Sequence, residues 1–199
     1  MKESMSKNTL ITIAIFTGLI LSSCRNNSSK IKQSDTEKNQ EMITESVKTN
    51  KNDELAEKIK NYILNHFLTK ADLRVISDDD RKFQFYTADL NNDGDEEVFI
   101  YFGTSYFCGS GGCTVLLLSN NMELITKFSP TQQLYIDETS ENSWKVLFTN
   151  TNGSWRKLVF DGVTYPSNPT LEKSTKYSPN ENTQNTFEEE RNNQQVYSF

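Results

Sequence analysis

One acidic stretch of the chain, ADLNNDGDEEVFIYF over residues 88–102, has the residue types and the spacing of a site for a divalent cation. Residues with side-chain oxygen atoms occupy every second position of its polar part: Asp89, Asn91, Asp93, Asp95 and Glu97. Calcium loops place oxygen ligands at such alternating positions and use a glycine, here Gly94, for the sharp turn. The spacing therefore predicts a calcium site in which Asp89, Asp93 and Glu97 supply carboxylates. Asn91 would add a neutral oxygen, and Asp95 its backbone carbonyl.

The residues around this loop distinguish it from an EF-hand. An EF-hand needs a bidentate glutamate at the twelfth position, where this sequence has Ile100, and it needs flanking helices. Here the strand-like segments FQFYTA and VFIYF flank the loop. The pattern DxNxDGxxE between two strands resembles the calcium loops of the FG-GAP and integrin type. This resemblance implies the ion site but not a β-propeller, and a polar hairpin turn without an ion is the alternative.

The start of the chain resembles a bacterial lipoprotein signal. Two lysines precede an apolar run of twelve residues, 10–21, and small residues then lead to Cys24 in the sequence LSSC. As a helix this run would span only about 18 Å, which is short for a membrane core of about 30 Å. The resemblance implies removal of residues 1–23 and lipidation of Cys24, and Arg25 in place of an aspartate implies the outer membrane. A plain signal peptide with an incidental Cys24 is the alternative.

Lipidation of Cys24 would leave two cysteines, Cys108 and Cys113, in the segment CGSGGC. The acidic loop, the strand after it and this segment, over roughly residues 83–118, together resemble a group of small secreted or lipidated bacterial proteins. An even pair of cysteines in an oxidising compartment is most simply one disulfide. We expect this disulfide to fix the tip of a hairpin, and the acidic loop to hold the base of the same hairpin. A zinc site or a catalytic thiol is disfavoured, because His66 is the single histidine of the chain.

The charge of the chain argues against nucleic acid as a partner. The formal net charge is −6 at pH 7, and the sequence contains no cluster of basic residues. Nucleic acid phosphates are neutralised by Lys and Arg, so an acidic chain of this kind is not expected to bind them. The expected partners are a membrane, through the lipid on Cys24, and a protein of the cell envelope.

Composition divides the chain into four parts. Residues 1–23 are expected to form the signal peptide. Residues 24–50, which include the lipidated cysteine, have too few apolar side chains to fold, so they are expected to form a disordered tether. Residues 51–170 form the globular domain, and the polar residues 171–199 are expected to be mostly disordered. The chain therefore has room for one domain of modest size.

Within this domain the hydrophobic period changes from helix to strand. Apolar residues recur every three or four positions in DELAEKIKNYILNHFL, residues 53–68, which predicts one amphipathic helix. Alternating or β-rich runs follow from residue 83 to residue 160, and Asp161-Gly162 is typical of a two-residue hairpin turn. The predicted fold class is α+β, with one N-terminal helix packed on an antiparallel β-sheet built from consecutive hairpins.

These features favour a non-enzymatic binding or structural module, and no catalytic residue is assigned. In this interpretation calcium and the disulfide make a hairpin edge rigid. The edge would present four aromatic residues to a partner: Tyr101, Phe102, Tyr106 and Phe107. Strand alternation is expected to turn about half of them into the core. Two alternatives stay open: an inhibitor or immunity protein against a cell-wall hydrolase or effector, and a calcium-dependent hydrolase.

Overall fold

The computed structural model of the protein describes residues 51–177, 179–180, 183–187 and 195–199, all of which belong to one compact unit. The signal peptide, the lipidation of Cys24 and the tether are predictions about residues outside this described part. The described residues combine one long helix with two antiparallel β-sheets, so the predicted α+β class is confirmed.

The long helix, α1, occupies residues 51–62 and continues as a π-helical turn over Ile63–Phe67. Its apolar stripe places Ile59 and Ile63 in the core with no exposed surface, as the three- and four-residue spacing predicts. The helix ends at Leu68, where the backbone becomes extended with φ −92° and ψ 138°. Three single-turn helices occur elsewhere in the described residues: Asp72–Val75, Asp78–Asp80 and Pro169–Leu171.

The strands of the described residues form a first sheet of six and a second sheet of five. The first sheet contains β1 (Lys82–Ala88), β2 (Glu97–Phe102), β3 (Cys108–Gly109), β4 (Gly112–Leu118), β5 (Leu124–Thr131) and β11 (Tyr197–Ser198). The second sheet contains β6 (Leu134–Glu141), β7 (Trp144–Thr151), β8 (Ser154–Leu158), β9 (Ser174–Thr175) and β10 (Gln184–Asn185). The first sheet has the order β11-β1-β2-β4, with β3 and β5 also paired to β4, and the second has the order β10-β6-β7-β8-β9. The expected hairpins are therefore distributed over two sheets instead of one.

The first sheet is buried on both faces, which explains the continuous apolar runs of β2 and β4. On one face, Ile100 of β2 belongs to a core cluster with Ile59 of α1. On the other face, Phe99 belongs to a second cluster with Leu147 of the second sheet. Successive residues of a strand point to opposite faces, so a strand with a core on each side needs apolar residues at every position. The order of layers is therefore helix, first sheet, second sheet.

The described residues of 171–199 pair with both sheets, which differs from the mostly disordered tail that composition predicts. β9 pairs with β8 at one edge of the second sheet, and β10 pairs with β6 at the other edge. Between them, Tyr177 stacks on Phe148 of the central strand β7, with ring centroids 3.6 Å apart. β11 pairs with β1, and Phe199 is only 9% exposed in the helix-side core cluster. These residues belong to the folded domain.

The chain turns at Asp161-Gly162, but it does not form the hairpin that these residues predict. Only Gly162 has a positive φ, 104°, whereas a type I′ hairpin turn needs positive φ at both central positions. Asp161 Oδ1 accepts hydrogen bonds from the N–H groups of Val163 and Thr164, both at 2.8 Å, which makes an Asx turn. The residues 163–168 that follow are not in a strand.

Candidate functional site

The acidic loop, residues 89–96, joins two neighbouring strands of the first sheet. Ala88 at the end of β1 pairs directly with Glu97 at the start of β2, so the loop is closed at its base. Asn92 and Gly94 have positive φ values of 59° and 93°, which turn the chain within the loop. Asparagine and glycine tolerate this left-handed region better than other residues do. The strand–loop–strand arrangement that separates this loop from an EF-hand is therefore present.

Asp89 organises the loop through three backbone N–H groups. Its Oδ1 accepts hydrogen bonds from the N–H groups of Asn91 and Asn92, at 3.3 and 2.6 Å. Its Oδ2 accepts one from the N–H of Gly94 at 3.0 Å. An aspartate that binds the backbone two and three residues ahead replaces a backbone turn with its own side chain. The curvature of the loop therefore depends on Asp89.

The next two alternating residues repeat this arrangement. Asn91 Oδ1 accepts a hydrogen bond from the N–H of Asp93 at 2.9 Å, and Asp93 Oδ1 accepts one from the N–H of Asp95 at 2.8 Å. Asn91 Nδ2 also donates to Asp93 Oδ2 at 2.8 Å. Asp95 is exposed and takes part through its backbone. The side chains at positions 89, 91 and 93 thus lie against the backbone of the loop.

Glu97 is the buried member of the set, with 4% of its surface exposed. Its Oε2 accepts a hydrogen bond from the N–H of Leu90 at 2.9 Å. The pKa of Glu97 is raised to about 7, chiefly by burial and further by the negative charges of Asp93 and Asp89. Within the described part of the chain, no lysine or arginine forms an ion pair with these three carboxylates. The loop therefore concentrates negative charge around a buried carboxyl group.

A chain of hydrogen bonds ties this end of the loop to the second sheet. The carbonyl oxygen of Leu90 accepts a hydrogen bond from the N–H of Lys145 at 2.7 Å. The carbonyl oxygen of Lys145 in turn accepts one from the hydroxyl of Tyr165 at 2.6 Å. Tyr165 has no exposed surface, and burial together with the charge of Glu97 raises its pKa. The loop is therefore part of the junction between the two sheets.

The expectation that the acidic loop holds the base of the cysteine hairpin is wrong. The loop precedes Glu97 at one end of β2, and the hairpin follows Phe102 at the other end, roughly 17 Å away at the usual rise of a strand. Cys108 and Cys113 lie directly opposite each other in the pairing of β3 with β4, and their Sγ atoms are joined at 2.09 Å. The loop and the disulfide are therefore two separate features of the first sheet.

The described residues contain no group of three His, Cys, Asp or Glu side chains arranged to hold a metal ion. In the acidic loop, carboxylate oxygens of Asp89 and Asp93 accept hydrogen bonds from backbone N–H groups instead. The donor set itself suits a hard cation, since carboxylate, amide and carbonyl oxygens are the ligands that calcium takes in proteins. Calcium binding here would therefore require Asp93 and Glu97 to turn towards a shared point.

The four aromatic residues expected at a partner surface have different environments. Phe102 has no exposed surface and packs on Phe107, with ring centroids 4.5 Å apart, so it is a core residue and cannot contact a partner. Tyr101 packs against the core between the sheets, with its ring centroid 5.1 Å from that of Phe187. Tyr106 is 40% exposed. The expected surface is thus reduced to Tyr106, with Phe107 partly buried behind it.

The structure assembles a groove that no local sequence pattern indicates. It lies beside the disulfide hairpin and has a volume of about 410 Å³. Three separate elements contribute Phe67, Asp72 and Lys127 to its lining. Their sequence positions form no period or motif, so only the fold brings them together.

A second buried carboxylate, Asp137 of β6, was also not singled out from the sequence. It is 7% exposed, and its Oδ1 accepts hydrogen bonds from the N–H and Oγ1 of Thr139 at 2.9 and 2.6 Å. Its Oδ2 accepts one from the hydroxyl of Tyr177. Burial alone would raise the pKa of Asp137, but these hydrogen bonds outweigh it and lower the pKa. Asp137 thus anchors Tyr177, which follows β9.

The described part of the chain has no helix that is both long and apolar enough to cross a membrane. No protein-family model matches the chain, and neither a curated protein nor a solved structure matches it.

Proposed function

We propose that the domain is a calcium-binding, non-enzymatic module, which a lipid on Cys24 anchors in the bacterial cell envelope at the outer membrane. The observation that supports calcium best is the burial of the Glu97 carboxyl group next to other carboxylates. This carboxyl group is 4% exposed and lies near Asp89 and Asp93, and no lysine or arginine of the described residues forms an ion pair with the three carboxylates. A divalent cation would offset two of the three negative charges and reduce the cost of burying the charge of Glu97.

In this proposal the loop supplies five oxygen ligands. Asp89, Asp93 and Glu97 provide carboxylates, Asn91 provides an amide oxygen, and Asp95 provides its carbonyl. The hydrogen bonds that tie the loop to the second sheet give the ion a structural role, because a fixed loop also fixes the junction between the sheets. The module would then present a rigid surface to a partner in the cell envelope.

The raised pKa of Glu97 would also suit a general acid, which is the enzymatic alternative. A general acid has to reach its substrate, and Glu97 is nearly inaccessible. A different groove, next to the acidic loop, is lined by Asp89 and Glu96 but not by Glu97. His66 stacks on Tyr62 with ring centroids 5.5 Å apart, away from the loop on α1. These environments favour a structural role for the buried carboxyl group over a catalytic one.

A thermal melt of the full chain in mild detergent, with millimolar calcium and with a chelator, tests the proposal. A ligand at 100 times its dissociation constant adds about 2.7 kcal/mol to the free energy of unfolding, which raises the Tm by several degrees for a domain of this size. Calcium modules outside the cell often bind at only about 10⁻⁴–10⁻³ M, so the calcium must be millimolar. We expect the Tm to rise with calcium.

Two variants make the melt specific for the loop. Asp93→Ala removes one proposed ligand and should abolish the calcium-dependent shift. Asp79→Ala removes an exposed aspartate from the turn Asp78–Asp80 and should keep the shift unchanged. A wild-type Tm that is the same with millimolar calcium and with chelator would contradict the proposal. A shift that survives in Asp93→Ala would place the ion elsewhere.

A further inference from the structure

The groove beside the disulfide hairpin lies at the opposite end of β2 from the acidic loop. The end of α1, the segment before β3, the hairpin and β5 form its walls. Its principal lining residues are Phe67, Asp72, Tyr106, Phe107, Lys127 and Pro130. Its volume of about 410 Å³ falls in the range of small-molecule sites, about 300–1,000 Å³.

The groove lining contains one cationic side chain, Lys127. Lys127 is exposed, and its Nζ lies 5.5 Å from the ring centroid of Phe67, in a cation–π contact. Among the described residues, Lys127 forms no ion pair and no side-chain hydrogen bond. Its charge acts only weakly on Asp72, so in a chain with a net charge of −6 an ammonium group without an ion pair is available to an anionic ligand.

The groove also contains a carboxylate that is held in place. Asp72 Oδ2 accepts hydrogen bonds from the N–H and Oγ1 of Thr69, at 2.7 and 2.6 Å, and Oδ1 accepts one from the hydroxyl of Tyr106 at 2.7 Å. These bonds, and more weakly the charge of Lys127, lower the pKa of Asp72, so it is ionised at neutral pH. A carboxylate oxygen accepts two hydrogen bonds, so Oδ1 has room for one more donor.

Part of the groove lining is aromatic and closely packed. Phe67, Phe102 and Phe107 pack on one another, with ring centroids 4.5–6.2 Å apart. On the other side, Gly112 has φ 125°, and a Cβ there would lie 2.1 Å from the carbonyl oxygen of Thr131. The hairpin can therefore approach β5 this closely only with glycine at this position.

We propose that this groove binds the free C-terminal end of a short peptide. The terminal carboxylate would pair with Lys127, the last side chain would pack on Phe67 and Phe107, and a backbone N–H would donate to Asp72. One positive and one negative group at separate points fit a chain end that carries both an anion and hydrogen-bond donors, and they give it a direction. A phosphate backbone would need several cations, and the groove lining contains one.

This inference rests on the binding role in the proposed function and does not depend on calcium. NMR titration of the ¹⁵N-labelled full chain tests it with N-acetylated tripeptides that end in alanine, leucine or phenylalanine. Each is used with a free C-terminal carboxylate and as the C-terminal amide. We expect the free-acid peptides to shift the amide signals of Gly109, Gly112, Lys127 and Ser129, and at least one of them to bind tenfold or more tightly than its amide.

Variants separate the charge of Lys127 from its effect on folding. Lys127→Gln keeps most of the side-chain length and should bind the acid and amide forms equally. Lys173→Gln, an exposed lysine outside the groove, should keep the wild-type preference. An unchanged amide spectrum outside the neighbourhood of residue 127 shows that each variant is folded.

Two results would overturn the inference. One is the absence of shifts at the groove residues with any free-acid peptide at millimolar concentration. The other is equal affinity of the acid and amide forms for the wild-type chain. Repeating the titration with calcium and with chelator distinguishes the two proposals, because calcium is expected to shift the signals of Gly94 and Glu97, at the other end of β2.

Discussion

Two buried carboxylates, Glu97 at the end of the acidic loop and Asp137 in β6, have nearly the same exposure, 4% and 7%. Their pKa values nevertheless move in opposite directions. The pKa of Glu97 is raised to about 7, mainly by burial, whereas that of Asp137 is lowered because hydrogen bonds outweigh burial. The exposed fraction of the residue alone therefore does not decide whether its carboxylate is stable as an anion.

The neighbours of each group account for the difference. Asp137 accepts hydrogen bonds from Thr139 and Tyr177, and the positive charge of Lys157 also lowers its pKa. Glu97 has other carboxylates nearby, which add to the cost of its ionisation. Burial penalises both anions, and donors offset this penalty at Asp137. A carboxylate whose charge is balanced by hydrogen-bond donors is a structural anchor, and one surrounded by like charge would be stabilised by a cation.

The largest expected effect is a loss of stability with rising pH in calcium-free buffer. The pKa of Glu97 is about 7 in the folded state against an ordinary 4.5, so the folded state binds more protons between these pH values. The free energy of unfolding should therefore fall by about 3 kcal/mol as the pH rises from below 4.5 to above 7. Urea unfolding at a series of pH values measures this fall.

The Glu97→Gln variant is the control for that profile. It keeps an acceptor for the N–H of Leu90 but has no charge to bury, so its stability should lack this fall. Saturating calcium should remove most of the fall from the wild type, because it stabilises the ionised carboxylate. A wild-type profile that stays flat across this range would show that the two carboxylates do not differ as described.

Substitution of Asp137 is expected to have a smaller effect, which is opposite in sign to that of Glu97→Gln at neutral pH. Asp137→Asn replaces charged acceptors with a neutral amide, and it places an N–H₂ group opposite the donors of Thr139 or Tyr177. Loss of a charge-assisted buried hydrogen bond costs about 2 kcal/mol. Urea unfolding at pH 7 should show this loss, with calcium and with chelator alike. If Asp137→Asn is as stable as the wild type, Asp137 does not stabilise the fold through these hydrogen bonds.

Removal of one donor should cost less. Tyr177→Phe deletes the hydroxyl that binds Asp137 but keeps the ring on Phe148, so we expect a loss of about 1 kcal/mol. Tyr106→Phe is the matched control, because it deletes an exposed hydroxyl–carboxylate bond to Asp72 and should change the stability less. Thermal melts measure the fall in Tm of each variant, and we expect the larger fall for Tyr177→Phe. Equal losses would mean that burial adds nothing at Tyr177.

The smallest expected effect is at acid pH. The pKa of Asp137 is lower in the folded state than its ordinary 3.8, so its contribution is complete above that value and is lost as the pH falls through the folded pKa. Asp137→Asn should therefore lose less stability than the wild type below pH 4. Acid titrations followed by fluorescence compare the two slopes. A steeper slope in the variant would contradict the lowered pKa.

Features that depend on near neighbours in the sequence were predictable. The spacing of Ile59 and Ile63 in α1 predicts the buried stripe, because the helix period determines which side chains share a face. The strand-like runs FQFYTA and VFIYF likewise predict the strands that flank the acidic loop. The continuous apolar run of β2 was predictable as a strand, but its two different cores were not.

Features that depend on distant pairing were not predictable. Tyr177, Phe187 and Phe199 are isolated aromatic residues in a polar segment, and no period marks them. Each packs on residues of other elements that are distant in the sequence. The groove has the same origin, since Phe67 and Lys127 belong to elements far apart in sequence. Composition alone therefore underestimates how much of residues 171–199 takes part in the fold.

The position of Phe199 also affects when the domain can fold. Its side chain shares a core cluster with Ile59 and Ile63, and its N–H donates to the carbonyl oxygen of Arg81 at 3.2 Å. A contact between the first and last described elements closes nearly the whole domain into one loop, and such distant contacts slow folding. The helix-side core therefore depends on a side chain more than 130 residues away from α1 in the sequence, and that cluster is complete only when residue 199 is available to pack.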